Sequence, residues 1–238
     1  MSFEMINSTK IDGNMSIAYD KKNEAINNRI RFFEKNKISF ENTLIIKIKY
    51  SDKIFELTEE FLLNNKDQSK LEIETDCIIT NCQNIFLYLP FADCIPLTVY
   101  DSKNRILAFA HMGWQSIELK LQCNIIDILV NKYGSNIDDI EVVLGPSIKG
   151  ESYILKNPSQ LKYDDWKPFL RNTEDDYYEI DLNGYLCNSL KQLGIKKIIN
   201  SNIDTAKDEN YFSHYRCRYI HENEQEGRFI CGVIMRDF

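Results

Sequence analysis

A cysteine and a histidine, Cys94 and His111, stand at the two ends of a stretch in which two apolar runs enclose a polar cluster. The runs are residues 94–100 and 106–110, and both are rich in β-branched, aromatic and other apolar side chains. The residues between them begin Asp-Ser-Lys-Asn. Two such runs around a polar cluster predict a β-hairpin. The stretch therefore carries a thiol and an imidazole to the same end of one hairpin.

The register of this hairpin decides whether the two side chains meet. With the turn centred between residues 102 and 103, Tyr100 faces Arg105 and Cys94 faces His111. Directly opposed residues in an antiparallel pair have Cβ atoms about 5 Å apart, close enough for a thiolate and an imidazole to touch or to hold one metal ion. We therefore predict one site, with Cys94 and His111 as its catalytic or metal-binding pair.

The residues that follow His111 favour a site over two unrelated core residues. The chain continues with methionine, glycine, Trp114 and Gln115. A glycine lets a ligand or another backbone approach closely, and a tryptophan beside a histidine can form a wall for a flat substrate. Trp114 and Gln115 are therefore candidate substrate-binding residues. The competing interpretation is that Cys94 is simply a core residue, because cysteine is among the most buried residue types.

The elements around the hairpin are predicted to be both helices and strands. Apolar residues recur at helical spacing in residues 22–35, 117–133 and 182–193, and the last two segments end at Gly134 and Gly194. Alternating or continuous apolar runs predict strands at residues 43–57, at two places within 78–89, and at 140–144 and 228–235. These segments do not alternate strictly as βαβ units, which predicts mixed sheets with helices packed outside them.

Length and composition predict one domain of the α/β (α+β) class over residues 1–238. The chain is 43% hydrophobic and 12% aromatic, which allows a sizeable core. It contains no repeat or low-complexity tract. The longest predicted loop, residues 157–176, carries aromatic and apolar anchors and does not have the composition of a linker.

Charge and cysteine content exclude several classes of partner. A formal net charge of -7 argues against a nucleic-acid-binding protein, because neutralising phosphates needs a basic face. The N-terminal residues lack the pattern of a signal peptide, and no apolar run approaches the ~18 residues of a membrane-spanning helix. The seven cysteines form no regular framework, which predicts free thiols in a reducing compartment. We therefore expect a cytoplasmic protein without nucleic-acid or membrane partners.

Motifs along the chain resemble one protein family. In order, they are GNMSIAYD at 13–20, NNRIRFFEK at 27–35, TDC at 75–77, ADCIP at 92–96, HMGW at 111–114, LGPSI at 144–148, YFSHYR at 211–216 and GR at 227–228. This order is similar to that of the laccase-domain or polyphenol-oxidase family, whose members are also called peptidoglycan editing factors and purine nucleoside phosphorylases. The similarity extends from Gly13 to Met235.

The resemblance implies a fold, an activity and a cofactor. The family fold is a single domain of α/β/β/α layers with mixed sheets. Its members are zinc-dependent enzymes that phosphorolyse adenosine, inosine and methylthioadenosine and deaminate adenosine, so a purine nucleoside and phosphate are the expected partners. The family holds its metal with a histidine, a cysteine and a histidine, and Cys94 and His111 match the last two. Copper is not expected, because multicopper sites need many histidines and this chain has three.

Three positions depart from the family motifs. Tyr50 stands where the first histidine ligand is expected, and a phenol is a poor neutral ligand for zinc unless a cation favours the phenolate. Gln115 replaces the arginine of His-x-Gly-Trp-Arg-Gly, which exchanges a charged fork for a neutral amide. Ser152 replaces the cysteine of a Cys-Tyr-Glu motif. Because these changes fall inside motifs, they predict either a different substrate or weaker catalysis.

Other polar residues are matched to the family with less detail. Asn28 and Arg29 correspond to an Asn-Arg pair and are candidates for binding phosphate or ribose, although Arg29 could equally be a surface residue of its helix. His214 and Arg216 could lie near the same site. His221, among acidic residues and an asparagine, is expected in a solvated loop.

The sequence leaves three functions open. The first is an enzyme of the purine nucleoside phosphorylase and adenosine deaminase type with a Cys/His zinc site. The second is a cysteine-type hydrolase that edits peptidoglycan precursors, with Cys94 activated by His111. The third is a non-catalytic relative that binds a nucleoside or a partner protein.

Overall fold

The computed structural model describes residues 3–20, 23–65, 71–221 and 224–236. The helices in these ranges are α1 (Ala25–Lys35), α2 (Glu59–Asn64), α3 (Trp114–Glu118), α4 (Leu121–Asn131) and α5 (Leu182–Gln192). The strands are β1 (Phe3–Asn7), β2 (Thr43–Lys47), β3 (Ile54–Leu57), β4 (Glu72–Glu74), β5 (Cys77–Thr80), β6 (Phe86–Phe91), β7 (Ile95–Asp101), β8 (Ile106–Met112), β9 (Ile140–Leu144), β10 (Ile154–Lys156), β11 (Leu170–Asn172), β12 (Tyr177–Ile180), β13 (Lys197–Asn200) and β14 (Phe229–Met235). None of the helices in the described ranges has both the length and the apolar character to cross a membrane.

The strands form two mixed sheets and one small antiparallel sheet. The five-stranded sheet has the order β1-β14-β6-β2-β4, with parallel pairs between β6, β2 and β4. The six-stranded sheet has the order β13-β9-β7-β8-β5-β3, with parallel pairs at its two edges. The third sheet, β10-β12-β11, is antiparallel. The predicted mixed sheets are therefore confirmed.

Three apolar clusters show how the layers are stacked. One cluster packs α3, α4 and α5 against one face of the six-stranded sheet, through residues such as Leu97, Ile125 and Leu186. A second lies between the two large sheets and includes Phe109. The third packs α1 against the outer face of the five-stranded sheet, with Phe33 at its centre. The order of the layers is thus α/β/β/α, as the family resemblance implies.

Strand alternation directs the two reactive residues to the inner layer. In β8, alternate side chains from Ile106 to Met112 face the helices, whereas Leu107 and Phe109 face the second sheet. His111 has the same parity as Phe109, so its ring lies at the end of the layer between the sheets. Cys94 directly precedes β7 and packs against the same inner cluster.

The hairpin is confirmed, but the predicted register is wrong. His111 pairs with Pro96, not with Cys94, and Tyr100 pairs with Leu107. The reason is the loop, which has four residues because the Asp101 side chain accepts hydrogen bonds from the backbone N–H groups of residues 103 and 104. The register moves by an even number of positions, so every side chain keeps its predicted face.

Two predicted elements are each divided in the structure. Residues 43–57 form β2 and β3 in different sheets, because the chain crosses between the sheets through a bend in which Tyr50 has a φ of 55°. Residues 117–133 form α3 and α4, separated at Lys120, which has a φ of 61°. A residue with a left-handed backbone conformation cannot continue a right-handed helix, so the helix breaks at Lys120.

The remaining element predictions agree with the structure to within a few residues. The strand at residues 140–144 is β9, the helix at 182–193 is α5, and the strand at 228–235 is β14. The helix predicted at 22–35 begins at Ala25 as α1, and its first residue lies outside the described ranges. The two strands within 78–89 are β5 and β6. The long loop at 157–176 is anchored by Trp166, which stacks on Tyr185 with ring centroids 3.8 Å apart.

Candidate active site

Cys94 and His111 converge on one point beside Gly113. A Cβ atom placed on Gly113 would lie 3.2 Å from Cε1 of His111 and 3.5 Å from Sγ of Cys94. The two side chains are diagonal rather than directly opposed neighbours across the hairpin, and their faces still bring them together. His111 is 2% exposed, whereas Cys94 is half-buried. The thiol therefore opens to the surface, and the imidazole lies behind it.

Asp76 orients the imidazole from the other side. This fully buried residue directly precedes β5, and its Oδ1 lies 3.3 Å from Nδ1 of His111. Its backbone carbonyl accepts the N–H of His111 at 2.8 Å. A carboxylate on Nδ1 leaves Nε2 for the thiol, so Cys94, His111 and Asp76 form a chain of three polar groups. Asp76 belongs to the TDC motif at 75–77, and no signal in the sequence indicated a role for it.

The charges of Cys94 and Asp76 favour the protonated form of the His111 imidazole. Burial by itself lowers the pKa of His111, but the charges and hydrogen bonds of Cys94 and Asp76 outweigh burial and raise the pKa to about 9. Burial would raise the pKa of Asp76, yet the hydrogen bonds from His111 and Ser51 leave that pKa below its ordinary value. An imidazolium between a thiol and a carboxylate is the arrangement found around cysteine nucleophiles.

Asp76 also holds the loop that carries Tyr50. Its carboxylate accepts the backbone N–H groups of Lys49, Tyr50 and Ser51 and the hydroxyl of Ser51, at 2.8 to 3.1 Å. The Tyr50 ring consequently stands edge-on to His111, with ring centroids 5.8 Å apart. The structure therefore places Tyr50 beside the pair, as expected, but in a loop and not on a strand.

A pocket of about 280 Å³ lies over the thiol. Its rim includes Trp114 and Gln115, which begin α3, so these two predicted residues meet Cys94 in one cavity. Aromatic rings make up much of the wall. They are Tyr50, Trp114, Tyr153, Tyr215 and Tyr219. The last three were not identified from the sequence as site residues, although Tyr215 lies within the YFSHYR motif and Tyr219 follows it closely.

Asp93, which directly precedes Cys94, connects the thiol to the opposite wall of the pocket. The Asp93 carboxylate accepts the Thr205 hydroxyl and the backbone N–H of Tyr215, both at 2.7 Å. Burial raises the pKa of Asp93 above its ordinary value despite these hydrogen bonds. His214 lines the same wall, with Nδ1 2.6 Å from Oε1 of Glu226. The prediction that His214 lies near the site agrees with this placement.

The structure does not bring Asn28 and Arg29 to this pocket. Arg29 is 6% exposed, donates its Nε–H to the carbonyl of Met15 at 2.8 Å and lies over the ring of Tyr88. Asn28 donates to the carbonyl of Asn14 and lines a different, polar cavity. Both side chains thus connect α1 to neighbouring parts of the fold, and the expectation that they bind phosphate or ribose has no support from their positions.

Three further residues from the sequence analysis have mainly structural surroundings. Arg216 pairs with Glu224 and donates to backbone carbonyls, so it organises the segment behind Tyr215. Ser152 donates its hydroxyl to Asp204 at 2.6 Å, next to the wall of the pocket. His221 is exposed.

The donor atoms do not match a three-ligand zinc centre. Catalytic zinc normally takes three protein ligands, of which Cys94 and His111 would be two. The third position holds Tyr50, and burial together with the charge of Cys94 raises the pKa of its phenol, which keeps it neutral. Among the described residues, no group of three or more histidine, cysteine, aspartate or glutamate side chains could hold a metal ion.

Residues 9–237 match the family model described as multi-copper polyphenol oxidoreductase laccase. Over 79 residues, which are 33% of this chain and 28% of the relative, the chain is 43% identical to purine nucleoside phosphorylase YlmD of Bacillus subtilis. Over 238 residues it is 23% identical to a purine nucleoside phosphorylase of Rickettsia conorii, covering 94% of this chain and 98% of that protein.

Two crystal structures share the fold. The hypothetical protein YfiH of Bacillus licheniformis superposes with a TM-score of 0.84 at 22% identity, covering 98% of this chain and 93% of the other. YlmD of Geobacillus stearothermophilus superposes with a TM-score of 0.81 at 21% identity, covering 94% and 85%. At these identities the likeness concerns the fold alone.

Proposed function

Because this chain belongs to the multi-copper polyphenol oxidoreductase laccase family and has relatives named purine nucleoside phosphorylase, we propose that it is an enzyme acting on purine nucleosides. The observation that carries the proposal is the aromatic pocket directly over Cys94. A purine is flat and largely apolar, and aromatic rings bind such a surface by stacking. The volume of about 280 Å³ lies just below the ~300 Å³ at which the usual range for ligand pockets begins, which suits one small molecule.

The reaction that we propose is phosphorolysis. A phosphate oxygen bonds to C1′ of the ribose, the bond from C1′ to N9 of the purine breaks, and the departing base takes up a proton. Cys94 lines the pocket and His111 lies behind it. In our proposal the imidazolium of His111 supplies this proton to the base through Sγ of Cys94, and the proton that the bound phosphate loses returns to His111. Deamination of adenosine in the same pocket would instead place water at C6 of the base.

The residues expected to bind phosphate and metal are the ones at which this chain departs from its family. Gln115 lines the pocket, and its amide N–H groups are our candidates for orienting phosphate. A neutral amide holds an anion less strongly than an arginine fork. Zinc, if it binds at Cys94 and His111, lacks a third strong ligand at Tyr50. The steps above therefore use the side chains of the protein alone.

Product analysis tests the proposal. Purified protein is incubated with adenosine, inosine or methylthioadenosine, with and without phosphate, and the bases and sugars are separated by chromatography. We expect free base with ribose 1-phosphate, or inosine from adenosine, and loss of both in Cys94→Ala. Cys123→Ala, a change in a partly buried cysteine of α4, is the matched control and keeps the activity. No product above the level of Cys94→Ala would remove the proposal.

A second candidate is a cysteine-type hydrolase, favoured by the order Cys94, His111, Asp76. In this reaction the thiolate bonds to an amide carbonyl carbon, the amine leaves with a proton from His111, and water hydrolyses the acyl-enzyme. Peptidoglycan precursors offer such amides. A thiol-directed probe distinguishes the candidates: selective labelling of Cys94, with amide hydrolysis that survives chelation, supports the hydrolase, and equal labelling of all seven cysteines counts against it.

A non-catalytic relative is the third candidate, supported by the departures at Tyr50, Gln115 and Ser152. Calorimetry with the nucleosides above tests it. Binding without any turnover would support this function, and turnover that depends on Cys94 would exclude it.

A further inference from the structure

A second cavity, separate from the pocket over Cys94, contains a lysine with unusual surroundings. The cavity has a volume of about 450 Å³. Lys149 follows the GPSI motif and is half-buried at the cavity wall. Its Nζ lies 3.0 Å from the side-chain oxygen of Asn183 and 3.3 Å from those of Ser147 and Asn200. All three contacts are to uncharged oxygens, and no carboxylate of the described residues lies at hydrogen-bonding distance from the amine.

These surroundings favour the neutral amine. Burial lowers the pKa of Lys149 to about 8, and the nearby charges of Asp204, Asp181 and Cys187 reduce that effect without cancelling it. An ordinary lysine has a pKa of about 10.4, so at neutral pH Lys149 presents far more of the unprotonated, nucleophilic form. The titratable groups that face it or line the cavity with it are Asp204, Asp181, Cys187, Glu179, Arg171 and Glu151.

The other nucleophile in this cavity is less reactive. Burial raises the pKa of Cys187, which keeps its thiol protonated at neutral pH. Cys187 lies behind Asn200, whose amide nitrogen is 3.9 Å from its Sγ. The amine is therefore the group that would meet an electrophile in the cavity.

The charges at the wall indicate which electrophile fits. Three carboxylates, those of Glu151, Glu179 and Asp181, line the cavity with two cations, Lys149 and Arg171. The Arg171 guanidinium is paired with Glu179 and the Lys207 ammonium with Glu151, so neither cation is free to attract an anion, and the charges of Asp181 and Asp204 remain close to Lys149. An anionic ligand would meet net negative charge, whereas an uncharged hydroxyl compound finds amide and carboxylate acceptors.

We propose that Lys149 is the nucleophile of a second site that condenses with small uncharged hydroxyaldehydes to form an imine. The neutral Nζ bonds to the carbonyl carbon and forms a carbinolamine. The carboxylate of Asp181, at the cavity wall, takes a proton from the nitrogen and returns it to the hydroxyl group, which leaves as water while the C=N bond forms. Hydrolysis reverses the reaction and releases the aldehyde, so the step needs no other reactant.

Reductive trapping tests the proposal on the unmodified protein. Glycolaldehyde and cyanoborohydride are added at a series of pH values, and mass spectrometry of peptides gives the rate of labelling at each lysine. Lys207 is the internal reference, because it is exposed and its hydrogen bond to Glu151 raises its pKa. At pH 7.5 we expect Lys149 to react at least about tenfold faster than Lys207. The Lys149 rate should reach half of its maximum near pH 8 and level off above about pH 9, while that of Lys207 continues to rise.

Equal rates at the two lysines, or a Lys149 rate that still climbs beyond pH 9, would overturn the proposal. The ligand class is tested with glyoxylate, an anionic aldehyde of similar size. The ratio of glycolaldehyde to glyoxylate labelling should be at least about threefold higher at Lys149 than at Lys207, since the carboxylates around Lys149 act in a partly buried cavity and the pair of Lys207 with Glu151 is exposed to solvent. A lower ratio at Lys149 would exclude uncharged aldehydes as its preferred ligands. Lys207→Met, the control variant, should retain the fast labelling.

Discussion

Asp76 contacts His111 through both its backbone and its side chain. The carbonyl of Asp76 accepts the N–H of His111 at 2.8 Å, and its carboxylate lies 3.3 Å from Nδ1 of the ring. The same carboxylate binds the loop of Tyr50. One acidic residue therefore sets the orientation of the imidazole and the position of the residue that stands in place of the missing ligand.

The position of His111 between Cys94 and Asp76 should make stability depend on pH. The pKa of His111 in the folded protein is raised to about 9 from 6.5, so its contribution is complete below pH 6.5 and is lost as the pH rises through about 9. In urea unfolding, we expect the free energy of unfolding to fall by on the order of 2 kcal/mol between pH 6.5 and 9. In Asp76→Asn the fall should be smaller, because the carboxylate that favours the imidazolium is gone.

Nuclear magnetic resonance of the imidazole nitrogens provides the direct measurement. The midpoint for His111 should lie near pH 9 in the unmodified protein and at lower pH in Asp76→Asn. A midpoint near 6.5 in the unmodified protein would contradict the charge state that we derive.

Gly113→Ala should disturb the reactive pair with little effect on stability. The new methyl would lie 3.2 Å from Cε1 of His111 and 3.5 Å from Sγ of Cys94, closer than the ring can accept without moving. We expect turnover to fall by about tenfold or more, because small misplacements of catalytic groups are costly. Gly134→Ala is the control: Gly134 has a φ of 68° and no heavy atom within 4 Å of the new Cβ. It should lose up to about 1 kcal/mol of stability and keep its activity. Equal turnover in both variants would show that the pair does not act at Gly113.

Zinc should be substoichiometric in the purified protein and should increase in Tyr50→His. Cys94 and His111 supply two ligands, and the neutral phenol of Tyr50 is a poor third. Metal analysis of the two proteins side by side measures the occupancy, and phosphorolysis should rise with it. A full equivalent of zinc in the unmodified chain, lost in His111→Ala, would show that Tyr50, His214 or solvent completes the metal shell.

Gln115→Arg should strengthen the use of phosphate. Gln115 lines the pocket, and a guanidinium there would add a charged, bidentate donor for the anion. Steady-state kinetics should show KM for phosphate lowered by about tenfold, with KM for the nucleoside nearly unchanged. Gln115→Met, which has a similar length and no donor, should raise KM for phosphate. If neither variant alters that constant, phosphate binds elsewhere.

The sequence predicted local structure better than it predicted long-range contacts. Strand β9 is apolar throughout its buried positions, and α5 stops at a glycine, so both were predictable from neighbouring residues. The division of residues 43–57 depends on Asp76, which binds the backbone of Tyr50 from 26 positions away. No local pattern contains that contact, and the segment therefore looked like one strand.

The site was predictable in part for the same reason. Cys94 and His111 lie together although the predicted register was wrong. The true register differs from it by two positions, so each side chain stays on the same face of the hairpin. The positions of Arg29 and Asn28 were not predictable, since a helical arginine can serve a ligand or the fold, and here it binds the carbonyl of Met15. The tyrosines of the pocket wall come from a segment whose position depends on the buried carboxylate of Asp93.

The loop at residues 48–53 is held by main-chain N–H groups, which every residue except proline possesses. The identity of the side chain at position 50 can therefore change while the path of the loop stays the same. We therefore expect Tyr50→His to leave the path of the loop unchanged, so that the donor offered to a metal at this position can be altered without rebuilding the surrounding fold.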